Sequence, residues 1–184
     1  MRLTIPRVPP LQDEDAHGEG KELLVGAAKR GPVLNVTRTL AQYPKLSRDW
    51  GRFARHVITE TTLPPREREL LILRTGWNCQ SGYEFGQHRR MGREAGLTDA
   101  EIARVIEGPD AAEWDPLDAT LLRAADELHA DAFVSDETWA ALAERYSQEQ
   151  LMDVVFAVGQ YRLVSMALNS FGVQLEPGTP GFPE

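Results

Sequence analysis

The sequence predicts an all-α fold, organised as a single-domain bundle of about eight helices. From residue 21 to residue 173, almost every segment spaces its apolar residues three and four positions apart. No segment shows the strict alternation of apolar and polar residues that is typical of a strand. The chain has 184 residues, of which 42% are hydrophobic and 26% charged, so one domain with a substantial core is expected.

Composition divides the chain into three parts. Residues 1–20 are rich in proline, glycine and acidic residues, which predicts an extended N-terminal arm. Residues 21–173 carry the helical pattern and form the predicted domain. Residues 174–184, which contain the sequence LEPGTPGFPE, predict a C-terminal tail that is either a second arm or frayed.

Turn residues and apolar stripes define the first four helices. ELLVGAAKRG predicts a short helix that ends at Gly31, and VLNVTRTLAQYP predicts another that ends before Pro44. A third helix begins near residue 45, and its apolar stripe comprises Leu46, Trp50, Phe53 and Val57. The fourth, LPPRERELLILRTG, begins at a proline pair, and its run of four apolar residues at positions 70–73 covers nearly the whole circumference. This helix is therefore expected at the centre of the bundle.

Capping patterns define the remaining helices. Ser81 and Glu84 have capping-box spacing at the start of a helix that ends at Gly96, and Thr98 and Glu101 have it before DAEIARVIEG. Two amphipathic helices follow, over DPLDATLLRAADELHAD and SDETWAALAERYS. The last helix begins with a capping box at residues 147–150. Its predicted apolar face comprises Leu151, Val154, Val155, Val158, Val164, Leu168 and Phe171.

Charge and composition argue against several classes of partner. The net charge of −8, without a cluster of basic residues, disfavours binding to a phosphate backbone, so no nucleic acid is expected. No apolar run approaches the roughly 20 residues of a membrane span, so no membrane partner is expected. The first residues lack the apolar segment of a signal peptide, and one cysteine excludes an internal disulfide. The expected compartment is the cytoplasm.

Three polar residues on two consecutive helices are candidates for acid–base chemistry. Glu84 lies four positions before His88, which places both side chains on one helix face. Glu69 lies in the apolar LPPRERELLILRTG helix, where burial would raise its pKa and allow it to hold a proton near neutrality. The alternative is structural: His88 would be a core histidine with a hydrogen-bond partner, and Glu69 would pair with Arg66, Arg68 or Arg74.

Other polar residues give weaker indications. Cys79 precedes the helix and, as the chain's single cysteine, is more typical of a small buried side chain than of a redox group. No spacing is typical of a metal site, so no metal is expected. Tyr161, Ser165 and Asn169 form a polar line on the last helix that either bonds a neighbouring helix or faces a pocket, and packing is slightly favoured.

The segment LPPRERELLILRTGWNCQSGYEFGQHRRMGREAGLTDAEI combines Leu-Pro-x-Arg-x-Arg-Glu-Leu, Glu-x-x-x-His and Ala-Gly-Leu-Thr. NVTRTLAQYPKLSRDWGRF upstream and YRLVSMALNSFGV downstream extend the pattern from about residue 31 to residue 173. This pattern resembles the carboxymuconolactone decarboxylase family, which also contains the alkyl hydroperoxidase D-like proteins. The resemblance implies the all-helical alkyl hydroperoxidase D-like fold, assembled as a homo-oligomer (a dimer, trimer or hexamer).

The resemblance also assigns roles to residues. Peroxidase-type members carry Cys-x-x-Cys-x-x-x-His, which aligned on His88 places the two cysteines at Ser81 and Glu84 and the relay glutamate at Glu69. Both redox cysteines are thus replaced, and Cys79 is two positions out of frame. The chain is closer to decarboxylase-type members, which lack the cysteine pair. The expected catalytic residues are His88, Glu69 and Glu84.

The function that the resemblance implies is a decarboxylase or related lyase or isomerase, active without a cofactor, that acts on a small lactone or aromatic-derived organic acid by proton transfer. Arg68, which would bind the substrate carboxylate, and Tyr83 are the expected substrate-binding residues. Two alternatives remain: a thiol peroxidase of the alkyl hydroperoxidase D type that works through Cys79, and a non-catalytic oligomeric binding protein. A cavity in which His88 and Glu69 converge would favour the enzyme.

Overall fold

A computed structural model describes residues 3–183, and every regular element in that range is a helix. One turn of π-helix, His56–Glu60, continues the third α-helix. The α-helices are α1 (Gly18–Ala28), α2 (Asn35–Leu40), α3 (Pro44–Arg55), α4 (Pro65–Asn78), α5 (Gly82–Glu94), α6 (Asp99–Glu107), α7 (Pro116–Asp131), α8 (Asp136–Ala143) and α9 (Gln148–Phe171). The predicted fold class is confirmed, with nine α-helices over the described range.

Helix α4 is the central element of the bundle. It packs against α5, α6, α7 and α9. Four consecutive residues, Leu70 to Leu73, are 0% exposed, because neighbouring helices cover α4 on every side. The prediction of a central helix is confirmed, and any polar side chain that α4 carries in this stretch must find its partner inside the protein.

Helix α9 is apolar on two sides. The predicted inner face is largely buried, and the predicted capping box between Ser147 and Gln150 is present. After Gln150, the charged residues of α9 are Asp153 and Arg162 alone. The mean hydropathy of α9 is 1.4 over 18 residues, so by length and composition this helix could cross a membrane. No such segment was predicted from the sequence. Half of those 18 residues are buried inside the protein, as in the core helix of a bundle.

Both terminal segments pack against the bundle. The backbone N–H groups of Arg7 and Val8 donate to the carbonyl of Phe171, at the end of α9. In the C-terminal segment, the Phe182 ring lies 5.0 Å from the Trp77 ring and 5.3 Å from the Phe85 ring, between α4 and α5. Residues 174–183 are therefore a packed arm, which was one of the two alternatives left open by the sequence.

The close approach of the C-terminal arm to α5 depends on Gly86. A Cβ atom at Gly86 would lie 2.5 Å from the carbonyl oxygen of Pro180 and 2.9 Å from Leu175. Since the first neighbour is backbone, the arm itself would have to move to make room for a side chain.

We predict that Gly86→Ala destabilises the protein by about 1–3 kcal/mol and loosens the arm. As a control, Gly51 in α3 has nothing within 4 Å of its added Cβ, so Gly51→Ala should stabilise by about 0.5–1 kcal/mol. Chemical denaturation measures both effects, and amide hydrogen exchange at residues 175–182 tests the loosening. Equal stability of the two variants would contradict the proposed packing.

Candidate active site

His88 lies between two carboxylates, one from each helix of the α4–α5 pair. Its Nδ1 is 2.6 Å from Glu69 Oε2, and its Nε2 is 2.9 Å from Glu84 Oε1. Glu84 reaches His88 because four residues span about one turn of α5. Glu69 reaches it from the adjacent α4. Since both ring nitrogens face carboxylate oxygens, the arrangement favours a doubly protonated imidazolium that donates in both directions.

Arg68 completes the charge balance around Glu69. Its Nε and Nη2 donate to Glu69 Oε1 at 3.1 and 2.9 Å, and its Nη1 donates to the carbonyl of Ile58 at 2.6 Å. Each oxygen of Glu69 therefore accepts from a cationic partner, Arg68 on one side and His88 on the other. Two carboxylates thus face two cations, which allows four charged groups to be held in or near the core.

The protonation states follow from these contacts. Burial alone would lower the pKa of His88, but the charges and hydrogen bonds of Glu69 and Glu84 outweigh it and raise the pKa to about 10. Burial alone would raise the pKa of Glu69, yet His88 and Arg68 hold it below its ordinary value of 4.5. At neutral pH the proton therefore resides on His88 and Glu69 is ionised.

This result corrects one expectation. Burial was expected to raise the pKa of Glu69, and that expectation is wrong, because two cationic partners counteract burial. The ion-pair alternative was correct for Arg68. Arg66 instead pairs with Asp118 and Glu101. Arg74 pairs with Asp126.

A cavity of about 290 Å³, here called the central cavity, exposes one side of this cluster. Glu84 and His88 line it, whereas Glu69 is 0% exposed and lies behind them. The His88 ring packs edge-on against the Tyr161 ring at 4.8 Å. Burial and the two carboxylates raise the pKa of Tyr161 well above its ordinary value of 10, so its hydroxyl stays protonated.

The predicted substrate-binding residues have different positions. Tyr83 lines the central cavity, and its hydroxyl donates to Glu176 Oε1 at 2.8 Å. Arg68 does not line the cavity, and its guanidinium is bonded to Glu69 and to a backbone carbonyl. We therefore reassign Arg68 from binding a substrate carboxylate to positioning Glu69.

The predicted capping box at the start of α5 is wrong. Glu84 bonds His88 instead of reaching back to the N-cap, and the Ser81 side chain caps no backbone group. Ser81 Oγ is buried with no hydrogen-bond partner among residues 3–183. The other predicted capping box, between Thr98 and Glu101, is present. The carboxylate at position 84 thus serves the cluster and not the helix end.

The residues of the polar line on α9 have two different roles, one at the cavity and one in packing. Tyr161 lines the central cavity beside His88, while Asn169 donates from Nδ2 to the carbonyl of Cys79 at 2.9 Å and ties α9 to the end of α4. Ser165 is fully buried. Gln160, Gln87 and Glu176, at or beside the cavity, were not predicted from the sequence. The one available signal was the four-residue spacing that puts Gln160 on the same face of α9 as Val164.

Cys79 lies apart from the cluster. It does not line the central cavity, and its Sγ is 3.7 Å from Nδ1 of His129 on α7. Across residues 3–183 there is no group of three histidine, cysteine, aspartate or glutamate side chains arranged to hold a metal ion.

Comparison with known protein families gives a match over part of the chain. The carboxymuconolactone decarboxylase family matches residues 44–127, the stretch that supplies Glu69, Glu84 and His88. A comparison with curated protein sequences gives no match.

Solved structures share the fold of this protein. An uncharacterised peroxidase-related protein from Ralstonia eutropha JMP134, with an alkylhydroperoxidase AhpD core, superposes with a TM-score of 0.82 at 20% identity, covering 95% of this chain and 94% of the other. A variant of the debrominase Bmp8 in complex with 2,3,4-tribromopyrrole superposes with a TM-score of 0.76 at 16% identity, covering 92% of this chain and 91% of the other. An uncharacterised peroxidase-related protein from Silicibacter sp. TM1040 superposes with a TM-score of 0.76 at 16% identity, covering 97% of this chain and 93% of the other.

We predict that His88 remains protonated at neutral pH and loses its proton near pH 10. Glu69→Gln removes one carboxylate and should lower the pKa of His88 by at least about one unit, whereas the exposed Glu107→Gln should leave it unchanged. The chemical shifts of the His88 ring, followed by NMR between pH 5 and 11, measure this pKa. Deprotonation near pH 6.5 in the wild type would refute the bonded arrangement.

The same shifts give a pH dependence of stability. A raised histidine pKa stabilises the fold fully below the unfolded value of 6.5, and this contribution is lost as pH rises through about 10. A lowered glutamate pKa stabilises above 4.5, and this contribution is lost as pH falls through the folded value. The pair is therefore most stabilising between about pH 4.5 and 6.5.

Proposed function

We propose that this protein is an enzyme that acts without a cofactor, a decarboxylase or related lyase or isomerase, and transfers a proton to or from a small lactone or aromatic-derived organic acid. The observation that carries the proposal is the Glu69–His88–Glu84 cluster, in which His88 and Glu84 line the central cavity and Glu69 supports His88 from behind. A non-catalytic binding protein has no need of three linked titratable groups at a cavity wall, so this convergence favours the enzyme.

The proposed step begins when a bound substrate carboxylate leaves as CO₂. The electron pair of the broken carbon–carbon bond moves into the conjugated carbonyl of the substrate and forms a dienolate. His88, which is protonated at neutral pH, stabilises this anion and delivers a proton to carbon. Solvent then returns a proton to His88. The balance is one carboxylate and one proton consumed, and one CO₂ released.

The two carboxylates have different tasks in this scheme. Glu84 lies at the cavity and competes with substrate for the His88 Nε2 proton, so it can also accept a proton in an isomerisation. Glu69 has no cavity surface and fixes the ring orientation through Nδ1, with Arg68 holding it in place. Glu69 is therefore a positioning residue, and Glu84 and His88 are the proposed catalytic residues.

We predict that His88→Ala and Glu84→Gln each reduce turnover by about 100-fold or more, because each removes a group that moves the proton. The assay is a screen of lactones and aromatic-derived acids for CO₂ release or isomerisation. The exposed Glu107→Gln is the matched control and should keep wild-type turnover. Full activity in both His88→Ala and Glu69→Gln, on a substrate that the wild type converts, would show that the site is elsewhere.

A second candidate function is thiol-dependent peroxide reduction at Cys79. Its support is the contact between Cys79 Sγ and His129 Nδ1 at 3.7 Å. Burial and the nearby Arg162 lower the pKa of His129, which favours the neutral ring that can accept a thiol proton. Peroxide would be reduced to alcohol and water while an external thiol is oxidised to its disulfide. Turnover with an external thiol, lost in Cys79→Ser, would support this function over the first.

The proposed partner of the chain is a second copy of itself. Along α9, four large apolar side chains are half exposed, Met152, Phe156, Leu163 and Met166, and their spacing is that of a heptad repeat. Phe53 extends this patch, with its ring 5.9 Å from that of Phe156. A continuous apolar face of this kind on a helix is typical of a subunit contact.

We predict that Phe156→Glu dissociates or weakens the homo-oligomer, because it places a charge in the apolar contact. Phe133, which is 59% exposed and lies outside α9, provides the control, and Phe133→Glu should leave the assembly intact. Sedimentation or light scattering at micromolar concentration measures the mass. A monomeric wild type, or identical masses for the two variants, would refute the contact.

A further inference from the structure

Three cavities adjoin one another at the candidate site. The central cavity shares Val36, Trp50, Val164 and Leu168 with a cavity of about 190 Å³ between α2, α3 and α9, here called the apolar chamber. On another side it shares Leu34, Gln87 and Arg90 with a wider, more polar cavity of about 560 Å³, here called the basic vestibule. The chamber and the vestibule have no lining residue in common, so the central cavity lies between them.

The apolar chamber has the size and chemistry for a hydrocarbon group. Thr39 is the one residue in its described lining that is neither aliphatic nor aromatic. A cavity of about 150 Å³ with a similar lining is sufficient to hold benzene. The chamber opens to the surface at Leu46 and Leu163, which are 45% and 50% exposed, and Leu163 also belongs to the half-exposed face of α9. A group bound here is therefore removed from water on the sides formed by α2, α3 and α9.

The two polar side chains of the chamber wall do not present their polar atoms to the cavity, so its inner surface is apolar. Thr39 Oγ1 and Trp50 Nε1 are buried and have no hydrogen-bond partner among residues 3–183. Thr39 is only 3% exposed, and buried donors of this kind normally have a partner. Trp50 lines both the chamber and the central cavity, so its ring lies where the two cavities meet.

The opposite side of the central cavity carries positive charge. Arg90 is the one arginine or lysine in the described lining of the central cavity, and it also lines the basic vestibule together with Arg30. Glu176 lies there too, but its carboxylate accepts from the Asn35 N–H, the Tyr83 hydroxyl and Gln87. Arg90 pairs with the exposed Glu94 and is itself largely exposed, so it is able to turn toward an anion.

We propose that the substrate is an amphipathic acid or lactone: a benzene-sized apolar substituent occupies the apolar chamber, the reacting carbon lies at Glu84 and His88, and the acidic group points toward Arg90. The proposal rests on the proposed function for the reacting centre, and it adds the class of substrate and its orientation. Ala167 lines the chamber but not the central cavity, which makes it the position where the chamber can be filled selectively.

The test uses 4-phenylbutanoate and butanoate as binding probes, measured by calorimetry. The wild type should bind the phenyl compound about 30-fold more tightly, because only that compound has a group for the chamber. Ala167→Phe fills the chamber and should abolish the difference. Ala141 is exposed on α8 and lines none of the three cavities, so Ala141→Phe should retain it.

Three outcomes overturn the chamber assignment. One is equal affinity of the wild type for both probes. A second is a preserved difference in Ala167→Phe, particularly with a changed assembly mass, which would make the chamber a subunit contact. The third needs no variant: absence of nuclear Overhauser effects between the probe's phenyl protons and the Ala167 methyl group in the wild type.

The orientation is tested with 4-phenylbutanamide, the uncharged analogue. The wild type should prefer the carboxylate, Arg90→Gln should lose that preference, and Arg93→Gln should keep it, because Arg93 lines none of the cavities. An unchanged preference in Arg90→Gln overturns the orientation. These experiments measure binding and not turnover. If the protein binds the probes as expected but converts no substrate, the proposed reaction is wrong and the proposed substrate class is still supported.

Discussion

The bond between Glu69 on α4 and His88 on α5 joins two ionised groups in a part of the protein where a single unpaired charge is strongly destabilising. Removing one partner of such a pair leaves the other buried and uncompensated, at a cost of about 3–5 kcal/mol. The position of α5 on α4, the charge of the imidazole and the ionisation of the carboxylate therefore depend on one another. Arg68 extends this dependence to the residues before α4, because the same guanidinium also donates to Ile58.

The chemistry of the site follows from the asymmetry of the two carboxylates. Glu69 has both oxygens bonded to cations and no contact with the cavity, whereas Glu84 shares the cavity wall with His88. One side of the imidazole is thus fixed by the core and the other side is open to exchange with a ligand. A histidine held in this way keeps its orientation while its outer proton is available for transfer.

Features that depend on the helical spacing of nearby residues could be predicted from the sequence. Features that depend on distances between side chains in the folded protein could not. Helical spacing and the run Leu70–Leu73 were sufficient to predict the bundle and its central helix. Consecutive helices and a four-residue spacing were sufficient to bring Glu69, Glu84 and His88 together as candidates. The direction of the Glu69 pKa shift depends on ångström-scale distances to His88 and Arg68, which the sequence does not contain. The apolar chamber likewise combines α2 and α3 with residues of α9 that lie more than 100 positions further along the chain.

Helix α9 has one apolar face in the core and a second, half-exposed apolar face on the surface. During folding, an α9 that has formed but not yet docked presents apolar side chains in nearly every direction. Intermediates of this kind self-associate at micromolar concentrations. Productive folding of this chain is therefore a competition between docking α9 onto α4 within one molecule and joining the same helix to other molecules, so dilution or a holding chaperone favours the native bundle.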